Sequence, residues 1–285
     1  MTKDQYHHLL RSEFGYQTPP GQKVSRNYFP GWLSFVYYLR LVSTITHAGI
    51  VGRRGDLDDE KWAWFSHRIL QIVESVGGKV NISGLEALSH QSGPVVYIAN
   101  HMSLLETLVL PGIALAFNRV NFVIKEELRH YPVAKHFMIA LKLIAVSRQN
   151  PRDDLKVVLR EGSKFISSGC SIFIFPQATR SVEFDVEGFN TLGVKLAARN
   201  GVPVVPVAVK TDFQQNGKWI KELGPIDPHK AIYFKFGEPL VVEGKGRQAH
   251  QDVIDFIVQN LLAWGGKIKE KSEIGMRNES GELKH

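Results

Sequence analysis

Six short apolar runs in the second two-thirds of the chain constrain its fold more than any other feature. Each run has five to eight residues and is rich in the Val, Ile, Phe and Tyr side chains that β-strands favour. Helical stretches at residues 103–117, 152–168 and 189–200 separate several of them. Because strands that alternate with helices form a sheet covered on both faces, the pattern predicts an α/β domain with a central, mostly parallel or mixed sheet flanked by helices. The runs are residues 95–99, 120–124, 143–147, 171–175, 202–209 and 231–236.

The run at residues 202–209 contains two prolines, Pro203 and Pro206. Proline has no backbone N–H to donate to a neighbouring strand, so a strand that contains it lies at a sheet edge or carries a bulge. We interpret this run as part of the architecture of the sheet and not as part of its chemistry.

The segment at residues 29–52 is apolar and aromatic, and Arg40 is its one charged residue. Arg40 leaves charge-free runs of 13 residues (27–39) and 12 residues (41–52). A membrane-spanning helix needs about 20 apolar residues, so a full span is not favoured. The aromatic and basic residues indicate a helix that lies in the membrane interface, and a buried core helix is the alternative.

A second helix is predicted after the short basic hinge at residues 52–56. Asp56 is placed to cap its start, Gly77 and Gly78 end it, and five apolar residues at helical spacing form one stripe. The two helices are therefore predicted to form a hairpin. The stripe consists of Trp62, Phe65, Ile69, Val73 and Val76.

The formal net charge of +7 is concentrated around this hairpin, since residues 1–55 carry seven Lys or Arg and two acidic residues. Basic and aromatic side chains beside long apolar stretches favour an anionic lipid bilayer as the partner and argue against nucleic acid. No helix-turn-helix, zinc-finger or RNA-binding signature is present in the sequence. The first fifteen residues lack the apolar core of a signal peptide, so we expect a membrane-associated protein on the cytoplasmic face.

The chain is thus predicted to have three parts. Residues 1–80 form the basic, apolar two-helix membrane element, residues 81–264 form the α/β domain, and residues 265–285 form a polar tail that we expect to be disordered. The sequence lacks the G-x-S-x-G, G-x4-G-K-[ST] and G-x-G-x-x-G signatures, which argues against an α/β serine hydrolase, a P-loop enzyme and a typical dehydrogenase.

A histidine and a glutamate five residues apart follow the first predicted strand of the α/β domain. Ser103 and Glu106 have the spacing of a capping box, which places a helix start there and His101 in the preceding turn. In this arrangement the Glu106 carboxylate can reach the imidazole, fix its tautomer and leave the other ring nitrogen free as a base. Alternatively, Glu106 serves only as a cap. Open α/β sheets bind ligands at such strand ends.

A second group of candidate residues lies at the ends of two further strands. Arg180 stands between the hydroxyls of Thr179 and Ser181, and a forked cation with short donors suits a phosphate. Lys125 follows another strand and is a further candidate phosphate ligand, although a surface ion pair is the common fate of such a lysine. The single cysteine, Cys170, begins an apolar strand, where cysteines are usually inert.

Four sequence blocks, taken in order, resemble the motifs of the glycerolipid acyltransferase family. The resemblance covers about residues 80–240. The family motif N-H-x4-D corresponds to Asn100, His101 and Glu106, and K-x-x-[FL]-x-x-x-P corresponds to Lys125, Leu128 and Pro132. The motif F-P-E-G-T-R-S corresponds to Phe175, Pro176, Thr179, Arg180 and Ser181, and V-P-[IV]-[VI]-P-V corresponds to residues 202–207.

The chain departs from these motifs at two places. Glu106 stands where the family has Asp, which keeps the charge on a side chain one methylene longer. Gln177 and Ala178 stand where the family has Glu-Gly, which removes a negative charge and a flexible residue and bears on the identity of the acceptor.

The resemblance implies acyl transfer from an acyl thioester to the free hydroxyl of a lysophospholipid, with 1-acylglycerol-3-phosphate as the expected acceptor and phosphatidic acid as the product. It implies His101 as the catalytic base, Glu106 as the residue that orients it, and Arg180, Thr179, Lys125 and Ser181 as phosphate ligands. The expected co-substrate is acyl-CoA or acyl-carrier protein, and we expect neither a cofactor nor a metal. A different lysolipid acceptor, a non-catalytic lipid-binding membrane protein of the same fold and a thioesterase are the alternatives, as is an acyl-enzyme route through Cys170.

Overall fold

The computed structural model describes residues 1–21, 30–131, 135–177, 179–217, 220 and 222–269. Pro132 of the second motif, Ala178 of the third, and residues 270–285 of the predicted tail lie outside the described residues.

The helices are α1 (Lys3–Ser12), α2 (Pro30–Arg53), α3 (Asp59–Ser75), α4 (Glu86–Ser89), α5 (Leu105–Ala114), α6 (Lys135–Ala140), α7 (Pro151–Ser167), α8 (Leu192–Asn200) and α9 (Arg247–Ala263). The strands are β1 (Tyr16–Gln17), β2 (Val80–Ser83), β3 (Val96–Ala99), β4 (Val120–Lys125), β5 (Ile144–Val146), β6 (Ser171–Ile174), β7 (Glu183–Phe184), β8 (Val204–Lys210), β9 (Ile232–Phe236) and β10 (Lys267–Ile268).

The central sheet has eight strands in the order β1-β2-β9-β8-β3-β6-β4-β5. Strands β8, β3, β6, β4 and β5 are mutually parallel, and β9 pairs antiparallel to β8. All six predicted strands are present, and the mixed α/β fold predicted from the sequence is confirmed. Because the five parallel strands point the same way, the turns that follow them meet at one edge of the sheet.

Helices cover both faces of the sheet, and alternate residues of each buried strand enter two different apolar cores. On β3, Tyr97 and Ala99 belong to the core on the side of α3 and α5, whereas Val96 and Ile98 belong to the core on the side of α8 and α9. A strand buried on both faces has no polar alternation, which is why it reads as a continuous apolar run in the sequence.

Strand β8 lies in the middle of the sheet although it contains Pro206. The pairing register with the neighbouring antiparallel segment changes by one residue between the Val204–Leu240 bridge and the Val207–Phe236 pair. The change places a bulge beside Pro206, whose carbonyl still accepts the N–H of Gly237 at 2.9 Å. For Pro206 the structure shows the bulge, whereas Pro203 lies outside the strand, directly before β8.

The predicted helical hairpin is present as α2 and α3, with His47 of α2 in edge contact with Phe65 of α3. Asp58 caps α3 by accepting the Lys61 N–H at 2.7 Å, so the prediction of Asp56 as the cap was wrong. The cap lies two residues later because α3 begins only at Asp59. Within the described part of the chain, none of the helices combines the length and hydropathy needed to cross a membrane.

Helix α3 packs against α5, which begins at the candidate site. The Ser66 hydroxyl on α3 accepts the Gly112 N–H at 2.9 Å and donates to the Val109 carbonyl at 3.1 Å, beside the proline that interrupts α5 at position 111. A Cβ at Gly112 would lie 2.8 Å from the Ser66 Cβ, so glycine permits this close approach.

Residues of α1, α2 and α3 share one apolar core with the α/β domain. The domain division at residue 80 and the membrane role of the hairpin stay predictions.

Candidate active site

The turns that follow the five parallel strands bring polar side chains together at one edge of the sheet. Asn100 and His101 follow β3, and the turn after β6 carries the five matched residues of the third motif, three of which are polar. The residues at this edge are Asn100, His101, Lys125, Arg148, Gln177, Thr179, Arg180, Ser181 and Thr211.

His101 and Glu106 form a direct hydrogen bond, with His101 Nδ1 2.9 Å from Glu106 Oε1. Glu106 is fully buried and His101 is 9% exposed. An ionised carboxylate only accepts, so the Nδ1 position carries the proton and Nε2 of the neutral ring has a free lone pair. The Phe175 ring stacks on the imidazole, with the ring centroids 4.5 Å apart. The structure therefore orients the imidazole and leaves Nε2 as the ring nitrogen that is not bonded to Glu106.

Glu106 accepts four further hydrogen bonds besides the one from His101. Its Oε1 accepts the backbone N–H groups of Met102 at 2.6 Å and Ser103 at 2.8 Å. Its Oε2 accepts the hydroxyls of Ser103 at 2.8 Å and Thr211 at 2.6 Å. Burial alone would raise the pKa of Glu106, but the bonds from His101, Thr211 and the Ser103 backbone outweigh it and lower the pKa below its ordinary value. The buried carboxylate is therefore ionised at neutral pH.

Of the two interpretations of Glu106 from the sequence, the structure shows the hydrogen bond to His101, whereas the predicted capping box is not formed, because the N-cap residue is Leu104 and it has no side-chain cap bond. Glu106 instead accepts the Ser103 N–H, and the Ser103 hydroxyl accepts the Leu105 N–H at 3.1 Å. Helix α5 begins at Leu105, two residues later than predicted, because residues 103 and 104 form the bend that turns Glu106 back toward His101.

The Asn100 side chain fixes the end of β3, because it forms hydrogen bonds with β8 like those between two paired strands. Its side-chain amide donates to the Val209 carbonyl and accepts the Val209 N–H, both at 2.8 Å. This pair of bonds extends the β3–β8 pairing by one residue beyond Ala99, at which β3 ends. The position of the following His101 is therefore set by the sheet and not by a flexible loop.

Gln177 contacts the His101 turn directly, although it is one of the positions at which the sequence departs from the family motif. Its buried side-chain oxygen accepts the His101 N–H at 2.7 Å, and Ser181 donates its N–H to the His101 carbonyl at 3.0 Å. A neutral amide oxygen accepts this bond as a carboxylate oxygen would. Gln177 therefore lacks the negative charge of the family's Glu but still accepts a hydrogen bond from the His101 turn.

The four predicted phosphate ligands have different surroundings. Arg180 forms an ion pair with Glu222, and Lys125 forms one with Glu127 at 2.7 Å, in the exposed setting expected for a surface pair. The Ser181 hydroxyl accepts the Glu183 N–H at 3.2 Å, and Thr179 is exposed. The structure joins Arg180 and Ser181 to the His101 turn through one short loop and places Lys125 two strands away, at the end of β4.

Arg148 is a further cation at this edge that sequence reasoning missed. It follows β5 and has a positive φ of 58°. Burial lowers the pKa of its guanidinium, and the nearby positive charge of Arg180 lowers it further while Asp154 opposes the change. Arg148 thus lies within electrostatic reach of Arg180, at the same edge of the sheet. Its position after the strand at residues 143–147 was the available signal.

Cys170 lies at the opposite edge of the sheet, immediately before the first residue of β6. It is buried, and burial raises the pKa of its thiol to about 11. A thiol of that pKa is protonated at neutral pH, so it lacks the thiolate that a nucleophile needs. This argues against an acyl-enzyme route through Cys170.

Comparisons with known proteins agree with this geometry. Residues 79–210 match the model of the acyltransferase family. The chain is 28% identical over 206 residues to a 1-acyl-sn-glycerol-3-phosphate acyltransferase of Pseudomonas aeruginosa, covering 72% of this chain and 74% of that relative. It is 30% identical over 149 residues to a chloroplastic 1-acyl-sn-glycerol-3-phosphate acyltransferase of Arabidopsis thaliana, covering 51% of this chain and 41% of the relative.

A solved structure shows the same fold. The crystal structure of the 1-acyl-sn-glycerophosphate (LPA) acyltransferase from Thermotoga maritima superimposes with a TM-score of 0.59 at 22% sequence identity. The match covers 85% of this chain and 98% of that one.

Proposed function

We propose that this chain, which is similar to the acyltransferase family over residues 79–210, transfers a fatty acyl group from an acyl thioester to the free hydroxyl of a lysophospholipid. The proposed acceptor is 1-acylglycerol-3-phosphate and the product is phosphatidic acid. The observation that carries the proposal is the buried His101–Glu106 pair, with Nδ1 and Oε1 2.9 Å apart, at the carboxyl edge of the parallel strands.

The pair supplies a general base for the transfer. Nε2 of His101 takes the proton from the acceptor hydroxyl as its oxygen attacks the thioester carbonyl. When the tetrahedral intermediate collapses, the carbon–sulfur bond breaks and the imidazolium returns the proton to the leaving sulfur. Glu106 stays ionised and stabilises the imidazolium, and Ser103 and Thr211 hold the Glu106 carboxylate in place.

The phosphate of the acceptor binds, in this proposal, to the cations at the same edge. Arg180 and Arg148 provide paired guanidinium groups, which bind phosphate oxygens in bidentate geometry. The loop that carries Arg180 also holds the His101 turn, through the bond from Ser181 N–H to the His101 carbonyl. Phosphate bound on this loop would thus place the acceptor hydroxyl near the base. Thr179 and Lys125 are further ligands in the proposal, which requires neither a metal nor a cofactor.

We also propose that α2 docks on a lipid bilayer. Five apolar side chains on α2 are 42–60% exposed, and the first four of them follow one another at intervals of three, four and three residues, so these four form one stripe. The other side of α2 is held by the protein, since Tyr37 is fully buried and Tyr38 donates to the Gly224 carbonyl at 2.5 Å. The stripe consists of Trp32, Phe35, Leu39 and Val42. The cytoplasmic face stays a prediction.

Vesicle sedimentation tests the docking of α2. Leu39→Ser removes an apolar side chain that is 60% exposed in the stripe, and we expect less protein to pellet with anionic vesicles. Leu262→Ser is the matched control, because Leu262 is 58% exposed but lies on α9, on the other face of the sheet. Equal pelleting of the two variants would contradict docking through α2.

The transfer reaction is tested with a panel of lysophospholipids offered with acyl-CoA and with acyl-carrier protein, using His101→Ala as the blank. We expect the acyl group to appear on 1-acylglycerol-3-phosphate, and the panel identifies the donor. Transfer to another lysolipid would correct the acceptor, and release of free fatty acid would indicate a thioesterase. Binding of lipid without turnover would indicate a non-catalytic lipid-binding protein.

A further inference from the structure

Arg180 already has an anionic partner within the protein. Its guanidinium forms an ion pair with the Glu222 carboxylate, and the two side chains are only 14% and 24% exposed. An ion pair sheltered in this way is stronger than one on the open surface, where screening by water reduces the attraction. An anion that binds Arg180 therefore competes with Glu222.

The backbone at Glu222 and Gly224 is held by contacts with neighbouring residues, and these contacts position the Glu222 carboxylate next to Arg180. The Glu222 carbonyl accepts the Gln214 side-chain amide at 3.2 Å, and Gln214 is buried. At Gly224, a Cβ would lie only 2.0 Å from the Gln215 carbonyl oxygen, so this tight return of the chain requires glycine. The same loop contacts the catalytic turn, because Asn216 donates to the Met102 carbonyl at 3.2 Å.

We infer that Glu222 is a specificity-determining residue that occupies Arg180 in the free protein and must be displaced by the phosphate of the acceptor. The inference rests on the proposed function, in which Arg180 binds that phosphate. A phosphate monoester carries about −1.5 to −2 charges at neutral pH and binds arginine through two oxygens, so it can replace a single carboxylate. Arg148 follows β5 at the same edge of the sheet, and its positive charge adds to the attraction for the phosphate.

The displacement weakens the binding of every anion by the same factor. Anions that bind through phosphate alone, such as inorganic phosphate, then bind too weakly to occupy the site. A lysophospholipid gains additional affinity from the transfer of its acyl chain out of water, and it still binds. Glu222 thus selects acceptors that carry both a phosphate and an apolar chain.

Calorimetric titration of the full-length protein with inorganic phosphate tests the inference without any acyl donor. We expect Glu222→Gln to bind phosphate about tenfold more tightly than wild type, since a partly buried ion pair has been removed. Glu183→Gln is the matched control, because it removes the same charge from an exposed residue two positions after Ser181. Arg180→Gln with Glu222→Gln is expected to show no gain over Arg180→Gln alone.

If Glu222→Gln binds phosphate as tightly as wild type or more weakly, the inference is overturned. Weaker binding would mean that Glu222 helps to form the phosphate site. If Glu222→Gln does not fold, as judged by circular dichroism, Glu222→Asp takes its place. That variant keeps the charge on a shorter side chain, and we expect a smaller tightening, whereas no change overturns the inference. Failure of the lysophospholipid panel overturns the proposed function alone, and unchanged phosphate binding in an active enzyme overturns the role of Glu222 alone.

Discussion

His101 and His67 are both buried, and their surroundings differ in one respect that decides their chemistry. His101 faces a carboxylate that accepts from four other donors, whereas His67 stacks on the Tyr6 ring, with the ring centroids 4.8 Å apart, and forms no ion pair with a carboxylate of the described residues. Among the described residues, the His67 Nε2 and Tyr6 hydroxyl atoms have no hydrogen-bond partner. Burial lowers the pKa of His67 to about 4, helped by the positive charges of the N-terminus, His7 and Arg68.

The comparison shows that burial alone makes a histidine a neutral packing group. An imidazole becomes a base for catalysis when a carboxylate stabilises its protonated form, and the carboxylate must itself be held by enough donors to stay ionised out of water. Glu106 meets this condition through two backbone N–H groups and two hydroxyls. The same residue type thus has two uses in one protein.

The largest expected effect tests this difference directly. His101→Ala removes the proposed base, and we expect acyl transfer to fall by at least about a hundredfold, since general base catalysis contributes roughly 10²–10⁴-fold. His67→Phe is the control, because phenylalanine retains the stacking on Tyr6, and we expect its transfer rate to stay close to wild type. Initial rates with saturating donor and acceptor measure both. Near-normal transfer by His101→Ala would refute the mechanism.

A smaller effect is expected from the residue that supports the carboxylate. Thr211→Val keeps the shape of the side chain but removes the hydroxyl that donates to Glu106 Oε2 at 2.6 Å. We expect kcat to fall about tenfold with little change in KM, because the loss of one charged hydrogen bond corresponds to about 1.5 kcal/mol.

Thr211→Ser retains the hydroxyl and is expected to restore most of kcat. Melting temperatures of both variants separate positioning from stability. If Thr211→Val and Thr211→Ser lower kcat equally, the hydroxyl has no positioning role and only the packing of Thr211 is important.

The smallest effect concerns the pH dependence of stability. The pKa of His67 is about 4 in the folded protein against an ordinary value of 6.5, so the unfolded chain takes up a proton first as the pH falls. His67 therefore destabilises the fold progressively between pH 6.5 and 4 and has no such effect above that range. We expect His67→Phe to lose less unfolding free energy than wild type between pH 7 and pH 5, measured by denaturant titration.

Glu106 responds in a different pH range. Its pKa is lowered from 4.5, so its stabilising contribution is fully present above pH 4.5 and is lost as the pH falls through its folded pKa. Measurements at pH 5 and above thus exclude the Glu106 contribution, and the difference between wild type and His67→Phe separates His67 from His7 and His250, whose pKa values burial also lowers. Identical pH dependence in wild type and His67→Phe would show that His67 takes up its proton equally in both states.

Much of the site could be predicted because its residues are close together along the chain. His101, Ser103 and Glu106 lie within six positions, and their spacing by itself indicated the helix start and the hydrogen bond. The third motif indicated Arg180 in the same way. The strands were predictable because burial on both sheet faces requires continuous apolar runs.

The residues that were missed are distant in sequence from those they contact. Thr211 is 105 positions from Glu106, and Glu222 is 42 positions from Arg180. A threonine after a strand and a glutamate in a loop are common, and neither carries a sequence signal of its own. Only the pairing of β3 with β8 brings Thr211 to the carboxylate.

The sequence by itself determined the α/β class, the order of the strands along the chain and the histidine–glutamate pair, because local spacing and apolar periodicity encode them. The tertiary structure alone decided that Glu106 is held by five donors, that Gln177 supports the His101 turn, and that Arg180 is engaged by Glu222. These properties depend on which strands become neighbours in the sheet. Which strands become neighbours depends on how the apolar surfaces of distant segments pack together, and the sequence of one segment does not encode this.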